Sequence, residues 1–548
     1  MVLLSGNDLS VLDVEHVAIG RATVELDPAA LDRVNTAHQR VQDWGARGYP
    51  MYGVNTGFGE TVHMAVPPRF AETLQVNLLR GHAAGAGGFF AEDVTRAIML
   101  ARLNCFLKGY SGVSPATVVL LTDLLNQGIH PLIPQQGSLG ASGDLAPLSH
   151  LALVLCGAGE AIVDGVRTDG ASALAGRGLA PVRLGYKEGL ALVNGTSAMT
   201  GVAAMSLMRG YRLLDIAISL SAVLVQVLGG STRAFDERGH ELKGHHGQIA
   251  VAAVLRSLLQ GSKRVTRHVD LMAAMADRRG DAQDVVDTGV MIQNAYTLRC
   301  IPQILGPVLD TFDFCRDVVE RELNSCNDNP LIFQTAEESF HGGNFHGQYI
   351  AMAADYLAVA LAEIGVLAER QVDRILSPHL NGDLPDFLVR GDSGLGCGLM
   401  GAQYLATSIA SENLDIAVPA SIKSIPSNGG NQDVVSMGLN AARRCARLCD
   451  NVENILAVLG SACFQAVSIV GPDDFSASCA DWYATLADRT EPFEDQEPVH
   501  LFVERVKSVL LDNYEARYSA AWARNRAWTE SSEVAGGSHA LRTLATEE

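Results

Sequence analysis

Charge is scarce in this sequence. Only 19% of the 548 residues are Asp, Glu, Lys or Arg, and the 41 basic residues against 61 acidic ones form no basic block. Nucleic acid and anionic lipid surfaces are held by concentrated Lys and Arg, so neither is an expected partner. The net charge of −20 reads as solubility. The ten cysteines are scattered without a CxxC pair, which removes the common zinc and dithiol frameworks. Cys445 and Cys449, one helical turn apart, read as small core residues, and all the thiols as reduced. A convincing membrane span is missing too: the apolar stretch from Ile216 to Thr232 is short and interrupted by Ser219, Ser221, Gln226, Gly229 and Gly230. Met1 to Asp8 has neither the charged start nor the long apolar segment of a signal peptide, so a cytoplasmic location is expected. No strand leads through a glycine-rich phosphate loop into a helix, which argues against a nucleotide-binding sheet.

What the sequence has in quantity is apolar side chain. At 48% apolar residues and a mean hydropathy of +0.14 it is too oily for a disordered chain. It is also oilier than one monomer surface requires, so burial against sister subunits is expected. The length suits about two to four lobes. Helix signals dominate. Ser114-Pro115 is an N-cap with a first-turn proline, Val118, Leu121 and Leu125 share a face, and Gly128 is a stop. Helical periodicity also predicts helices over 92–108, 199–226, 285–299, 302–323, 350–376, 403–413, 434–470 and 499–528, several longer than the usual globular helix. Such helices pack as bundles, so a mainly α fold is expected. Strand signals are few: a hairpin at 161–167 around Asp164-Gly165, and a short extended stretch at 331–333. The polar tail after Trp528 reads as poorly ordered.

The most unusual stretch runs Gly137-Ser138-Leu139-Gly140-Ala141-Ser142-Gly143-Asp144-Leu145-Ala146-Pro147-Leu148. By composition it is a glycine-rich loop with Asp144 capping a helix. The order Ala-Ser-Gly adds a chemical reading. If the loop forces them together, the Gly143 amide nitrogen can attack the Ala141 carbonyl, and loss of two waters leaves an exocyclic methylene on a five-membered ring, a strong electrophile. Glycine suits this because no Cβ obstructs the attack.

Seven segments in order then resemble one family. They are Tyr52-Gly53-Val54-Asn55-Thr56-Gly57-Phe58-Gly59, Ala141-Ser142-Gly143, Asn194-Gly195-Thr196, Gln293-Asn294-Ala295-Tyr296-Thr297-Leu298-Arg299, Asn327-Asp328-Asn329-Pro330, Gly343-Asn344-Phe345-His346, and Asn431-Gln432-Asp433-Val434-Val435-Ser436-Met437. From about Val41 to Val470 the chain resembles the aromatic amino-acid ammonia-lyases and 2,3-aminomutases that use 4-methylideneimidazol-5-one (MIO), formed from their own Ala-Ser-Gly, with no metal and no nucleotide. The resemblance implies a long central helical bundle of the aromatic amino-acid lyase type with a small α+β N-terminal lobe. It divides the chain into a lobe over 1–197 carrying the lid and the MIO loop, the bundle over 198–470, and a C-terminal helical region over 471–548. It also implies a homotetramer whose active sites draw on three subunits.

Removing ammonia from an α-amino acid means taking a weakly acidic β-proton while a poor leaving group departs. An electrophile on the amine serves the second need, and a base over Cβ the first. Tyr52 lies among Gly53, Gly57 and Gly59, as on a mobile lid, and the resemblance makes it the base; the bland reading is a tyrosine under a turn. A tyrosine's ordinary pKa of about 10 requires surroundings that activate it. Gln293, Tyr296 and Arg299, at i, i+3 and i+6, would cover about 120° of one helix face. The Arg299 fork matches a carboxylate, although a lone arginine is more often a surface ion pair. The resemblance puts Tyr296 close to MIO, Arg299 on the substrate carboxylate, Asn194 and Asn327 in polar contacts near them, Phe345 beside MIO, and Glu412 with Gln432 near the amine. Turn or cap roles for the asparagines and a core role for Phe345 stay open.

Asn431-Gln432-Asp433-Val434-Val435 resembles the aromatic branch, where histidine lyases carry a Gln-Glu-Asp-His pattern. His82, in the specificity region, and Tyr404 suit hydrogen bonding to a phenol, which needs a partner when buried. Gly81 stands where relatives have serine and leaves more room for the ring. Tyrosine or a close ring analogue is the expected substrate. Over Gly59-Glu60 with Met64, 195–201 and 327–347 the chain is most similar to bacterial tyrosine 2,3-aminomutases of secondary metabolism, including antibiotic biosynthesis. An ammonia-lyase is the alternative outcome. A histidine lyase, an inactive relative without MIO, and a metalloenzyme using His341 and His346 are less favoured.

Overall fold

The computed structural model describes residues 1–512 other than Gln334, Ala336, Glu337 and Ser393. The fold is mainly α, as expected. Among the described residues its four longest helices are Ser197–Val227, Ile301–Leu323, Gln348–Leu376 and Gly438–Val470, followed by Pro28–Ala46 and Met400–Ile416. The chain forms two compact units. One comprises Met1–Tyr211, Val308–Ala362 and Glu412–Asp450; the other comprises Arg212–Pro307, Glu363–Ser411 and the chain from Asn451 on. Every passage of the chain from one unit to the other falls inside a helix, one of the four longest or Met400–Ile416.

The first unit holds the short strands. Val2–Leu4 pairs in parallel with Val24–Leu26, Ala86–Phe89 pairs with Pro134–Gln136, and Leu331–Ile332 pairs with Ser339–Phe340. The hairpin expected around Asp164-Gly165 forms between Glu160–Val163 and Val166–Asp169, with both turn residues at positive φ, and Ile129–Pro131 joins it as a third strand. Helix Pro115–Asn126 starts where its signals place it, the Ser114 hydroxyl accepting the Thr117 N–H at 3.3 Å. Helix Glu92–Leu107 is buried over nearly its whole length, Arg96, Arg102 and Asn104 included. Charged residues inside an apolar helix mark a polar network rather than a plain core.

The second unit is helical. Here one expectation fails: no helix spans 285–299. Helix His268–Arg279 ends at Gly280, φ +49°, and the chain stays irregular to Ala295, turning at Gly289, φ +60°, whose N–H donates to the Asp287 carboxylate at 2.8 Å. Only Tyr296–Arg299 is helical. The helix expected from Val434 starts instead at Gly438, after Met437 at φ +54°. The helix expected over 499–528 is present as far as Asp512; its remainder and the polar tail lie outside the described residues.

None of the ten cysteines is in a disulfide, and Cys445 and Cys449 are fully buried, as their spacing suggested. Helices Ser197–Val227, Gln348–Leu376 and Gly438–Val470 are long and apolar enough, by length and composition, to cross a membrane, which corrects the expectation drawn from the Ile216–Thr232 stretch alone. In each, 72% or more of the apolar window is buried inside the protein.

Candidate active site

The loop before helix Leu145–Leu155 is pinned at every turn. The Gly140 carbonyl accepts from Gly347 N at 3.1 Å and Ser436 Oγ at 3.0 Å, and the Leu139 carbonyl from Met437 N at 2.8 Å. The Ser138 hydroxyl donates to Asp144 Oδ1 at 2.7 Å, Met199 N donates to Asp144 Oδ2 at 2.8 Å, and Asp144 N donates to the Gly195 carbonyl at 2.7 Å. Burial pushes the Asp144 carboxyl up to about 6, against the pull of the Met199 N–H and the Ser138 hydroxyl.

Between these pins Gly140 and Gly143 take φ of +70° and +67°. A Cβ on Gly143 would stand 2.2 Å from the Gly195 carbonyl oxygen, and one on Gly140 2.2 Å from Ser436 Oγ. Only glycine fits either place. Asn194 Nδ2 donates to Ser142 Oγ at 2.8 Å and to the Ser142 carbonyl at 3.0 Å, while Asn194 Oδ1 is buried without a hydrogen-bond partner among the described residues. A close-packed Ala-Ser-Gly turn, a held serine hydroxyl and an orphaned amide oxygen beside them fit the residues needed to form and hold MIO.

A second layer lies behind the loop, and its Arg102, Lys187 and Glu322 belong to none of the seven segments. Arg102, fully buried, donates to the Ala191 carbonyl at 2.6 Å and to Asn327 Oδ1 at 3.1 Å, and Asn327 Nδ2 donates to Ser325 Oγ at 3.2 Å. Both ends of the Asn327 amide are thus engaged inside the chain. Lys187 and Asp328 form an ion pair at 2.7 Å with both side chains wholly buried. Thr196, next to Gly195, donates its hydroxyl to Glu322, whose carboxyl burial pushes up to about 7 while the threonine pulls it down. The signals for this layer were Arg102 within the otherwise apolar run of helix Glu92–Leu107, and Thr196, Asn327 and Asp328 within two of the seven segments; Lys187 and Glu322 gave none.

The Glu322 shift gives a stability prediction. Because its folded value lies above the ordinary carboxyl value, its favourable contribution is complete at pH about 4 and is lost as pH rises through about 7. Glu322→Gln, always neutral, should therefore gain stability on wild type by on the order of 1–3 kcal/mol between pH 5 and 8.5, read as Tm against pH. Parallel curves for the two proteins would contradict this.

Tyr52 is half-buried on a curled segment. Its phenolic oxygen accepts from Gly59 N at 3.0 Å, and its ring stands edge-on to Phe58 with centroids 6.3 Å apart. Because the oxygen accepts in that bond, the phenolic hydrogen is not consumed by it. An open cleft of about 460 Å³ is lined by Tyr52, Thr56, Val62, Asn329 and His341. The buried Gln75, on helix Ala71–His82, donates to the Gly53 carbonyl at 2.8 Å and so ties that helix to the segment. His82 ends the helix, its Nδ1 at 2.9 Å from the Leu78 carbonyl. With Nδ1–H committed there, the neutral ring offers Nε2 as an acceptor, the function a substrate phenol requires.

The first unit also holds Phe345, Gln432 and Glu412. Phe345 is half-buried, two residues before the Gly347 N–H that pins Gly140. Gln432 Oε1 accepts from Ser427 Oγ at 3.2 Å, and Glu412 is ion-paired with Arg447. His341 and His346 do not converge on a common ligand: His346 Nε2 lies 3.2 Å from the Val434 carbonyl and His341 Nε2 accepts from Tyr52 N. Among the described residues no group of three or more His, Cys, Asp or Glu side chains is placed to hold a metal ion.

In the second unit Tyr296 and Arg299 share the short helix, but Gln293 precedes it, so the single helical face expected for all three is corrected to a face of two. The reason is the irregular stretch that runs on to Ala295. The Arg299 guanidinium sits 4.8 Å from the Tyr296 ring centroid, and its buried Nε has no hydrogen-bond partner among the described residues. Gln371 Nε2 donates to the Thr297 carbonyl at 3.1 Å and Arg374 Nε to Thr297 Oγ1 at 2.8 Å, fixing the helix against Gln348–Leu376. Tyr296 and Tyr404 are 68% and 65% exposed, an unusual state for large aromatics unless something docks on them. Arg299→Leu should lower kcat/KM by about 10²–10³-fold, the scale of two charge-assisted hydrogen bonds, while Arg299→Lys keeps the charge but loses the fork and recovers only part. Less than a threefold loss in Arg299→Leu would remove the carboxylate role.

This pinned loop and the helices around it define a class. The aromatic amino acid lyase family model matches residues 9–488, and the chain belongs to that family. It is 56% identical over 505 residues to a tyrosine 2,3-aminomutase of Chondromyces crocatus, covering 92% of this chain and 95% of that protein. It is 50% identical over 470 residues to a tyrosine ammonia-lyase of Cupriavidus metallidurans, covering 85% and 88%. Among solved structures, the tyrosine aminomutase from Streptomyces globisporus superimposes with a TM-score of 0.91 at 43% identity, over 95% of this chain and 98% of that one.

Proposed function

We propose that the protein is a tyrosine 2,3-aminomutase that moves the amino group of L-tyrosine, or a close ring analogue, from the α- to the β-carbon. The observation that carries this reading is the 56% identity to a tyrosine 2,3-aminomutase across 92% of the chain. MIO, formed from Ala141, Ser142 and Gly143, supplies the electrophile that takes the amine and makes it a leaving group. The chain's own residues do the rest. Tyr52 removes the β-proton and Arg299 holds the carboxylate. His82 and Tyr404 receive the ring hydroxyl. Tyr296, Asn194, Gln293, Asn327 and Phe345 line the reacting end, and Glu412 with Gln432 faces the amine. The lid keeps ammonia and arylacrylate together until the amine adds to the β-carbon and a proton returns to the α-carbon, so the exchange is an isomerisation with no net oxidation.

The protein works as a homotetramer in the cytoplasm, without metal, nucleotide, nucleic-acid or membrane partners, and serves secondary metabolism such as antibiotic biosynthesis. A stripe of exposed side chains on helix Gln348–Leu376, Tyr349, Met352, Tyr356 and Val359 at 42–77% exposure, supports a sister-chain interface. A fully active monomer in light scattering at assay concentration would contradict the tetramer.

Incubation with L-tyrosine and mass-spectrometric separation of products tests the reaction. β-Tyrosine should form from the earliest times, with coumarate as a minor product. Coumarate alone at every time point would sink the aminomutase reading in favour of the ammonia-lyase reading, which the 50% identity to a tyrosine ammonia-lyase supports.

A further inference from the structure

We infer that His341 is the releasable latch of the Tyr52 lid and a positioning residue that sets the partition between β-amino acid and free arylacrylate; the partition rests on the aminomutase reading, the latch does not. The Tyr52 backbone N–H donates to His341 Nε2 at 3.3 Å. The donor thus belongs to the residue that carries the proposed base, and His341 must present a lone pair at Nε2, with its ring hydrogen on Nδ1.

Other bonds of the segment are local: Gly53 N to Thr56 Oγ1, Met51 N to Asn55 Oδ1 and Gly59 N to the Tyr52 hydroxyl within it, and Asn55 and Gly57 to Tyr49, Met64 and Val66 just beyond its ends. They shape the lid but do not fasten it. Among the described residues two side chains from outside bond its backbone, and they differ in kind. Gln75 is fully buried and also accepts from Leu190 N at 2.9 Å, so its bond to the Gly53 carbonyl is a fixed hinge. His341 is exposed, on the rim of the cleft that Tyr52 lines. A bond with water at hand opens first.

The latch has a rigid base. His341 follows strand Ser339–Phe340, and Gly342 N donates to Asn329 Oδ1 at 2.8 Å. Asn329 adjoins Asp328, whose carboxylate is locked to Lys187, and Lys187 Nζ also donates to the Ser111 carbonyl at 2.7 Å. A continuous path of short bonds therefore runs from a buried ion pair to an exposed imidazole that grips the lid beside its base. When the imidazole lets go, the segment swings about Gly53 and carries Tyr52 away from the reacting end. Arylacrylate and ammonia then leave before the amine adds to the β-carbon.

Full-length wild type, His341→Ala and His341→Gln test this, after intact-protein mass has shown the two-water deficit in each. Hydrogen exchange of the peptide spanning residues 50–60 reads the latch, and the early ratio of coumarate to β-tyrosine reads its consequence. In His341→Ala both should rise about three- to tenfold, the loss of one hydrogen bond from a two-state lid, and His341→Gln, whose amide oxygen can accept the same N–H, should recover part of each. Unchanged exchange in His341→Ala overturns the latch whatever the products. Raised exchange with an unchanged product ratio overturns the control of partition. If wild type itself makes no β-tyrosine, the aminomutase reading fails, and the exchange measurement alone decides the latch.

Discussion

Ser142→Ala should reduce turnover of tyrosine by at least about 10³-fold, the scale of losing a group that carries the chemistry as one unit with its partners. The peptide spanning Ala141 to Gly143 should then keep its full mass, where wild type lacks two waters. The fold should survive. The serine side chain has Asn194 Nδ2 as its partner, and that amide keeps its 3.0 Å bond to the residue-142 carbonyl after the hydroxyl is gone. The pins at Gly140, Asp144 and Gly195 do not involve the serine hydroxyl. Gly143→Ala is the useful contrast: its Cβ meets the Gly195 backbone at 2.2 Å, so it should lose stability along with activity. A Ser142→Ala protein that retains more than a tenth of the wild-type rate would dismiss the electrophile formed from this loop.

Tyr52→Phe should cost about 10²–10⁴-fold in kcat, the usual contribution of a positioned general base, with far less change in the affinity for coumarate. The phenyl ring can keep its edge-on contact with Phe58, so the packing of the segment is retained. Gly59 N loses its acceptor, and some loosening of the lid follows. That loosening and the loss of the base are separable: the first changes exchange of the lid peptide, the second the isotope effect on β-proton removal. If kcat falls less than fivefold, the base is another residue.

Some of this molecule was legible one residue at a time. The Ser114-Pro115 start, the Asp164-Gly165 turn and the long apolar helices were each specified by local rules of capping, φ preference and periodicity, and each is present. The stretch from 285 to 295 misled because its apolar residues recur at near-helical spacing while Gly289 and the Asp287 carboxylate favour a turn. Periodicity weighs side chains and is blind to a backbone bond of this kind. The three-residue strands were too short to give an alternation.

The chemistry proposed for the Ala-Ser-Gly loop belongs to covalent order, and it is named by that triplet together with the six other segments of the resemblance. What holds that loop in a reactive shape is different. Arg102, Lys187 and Asp328 name no partner when read in line, yet they are buried behind the loop, with Glu322 half-buried beside them, and their partners lie as far along the chain as the 225 residues between Arg102 and Asn327. Whether a charged side chain faces water or a partner is settled by which distant segments fold against it. Local preference therefore wrote the helices and the reactive triplet, and long-range packing alone decided which polar residues became their scaffold.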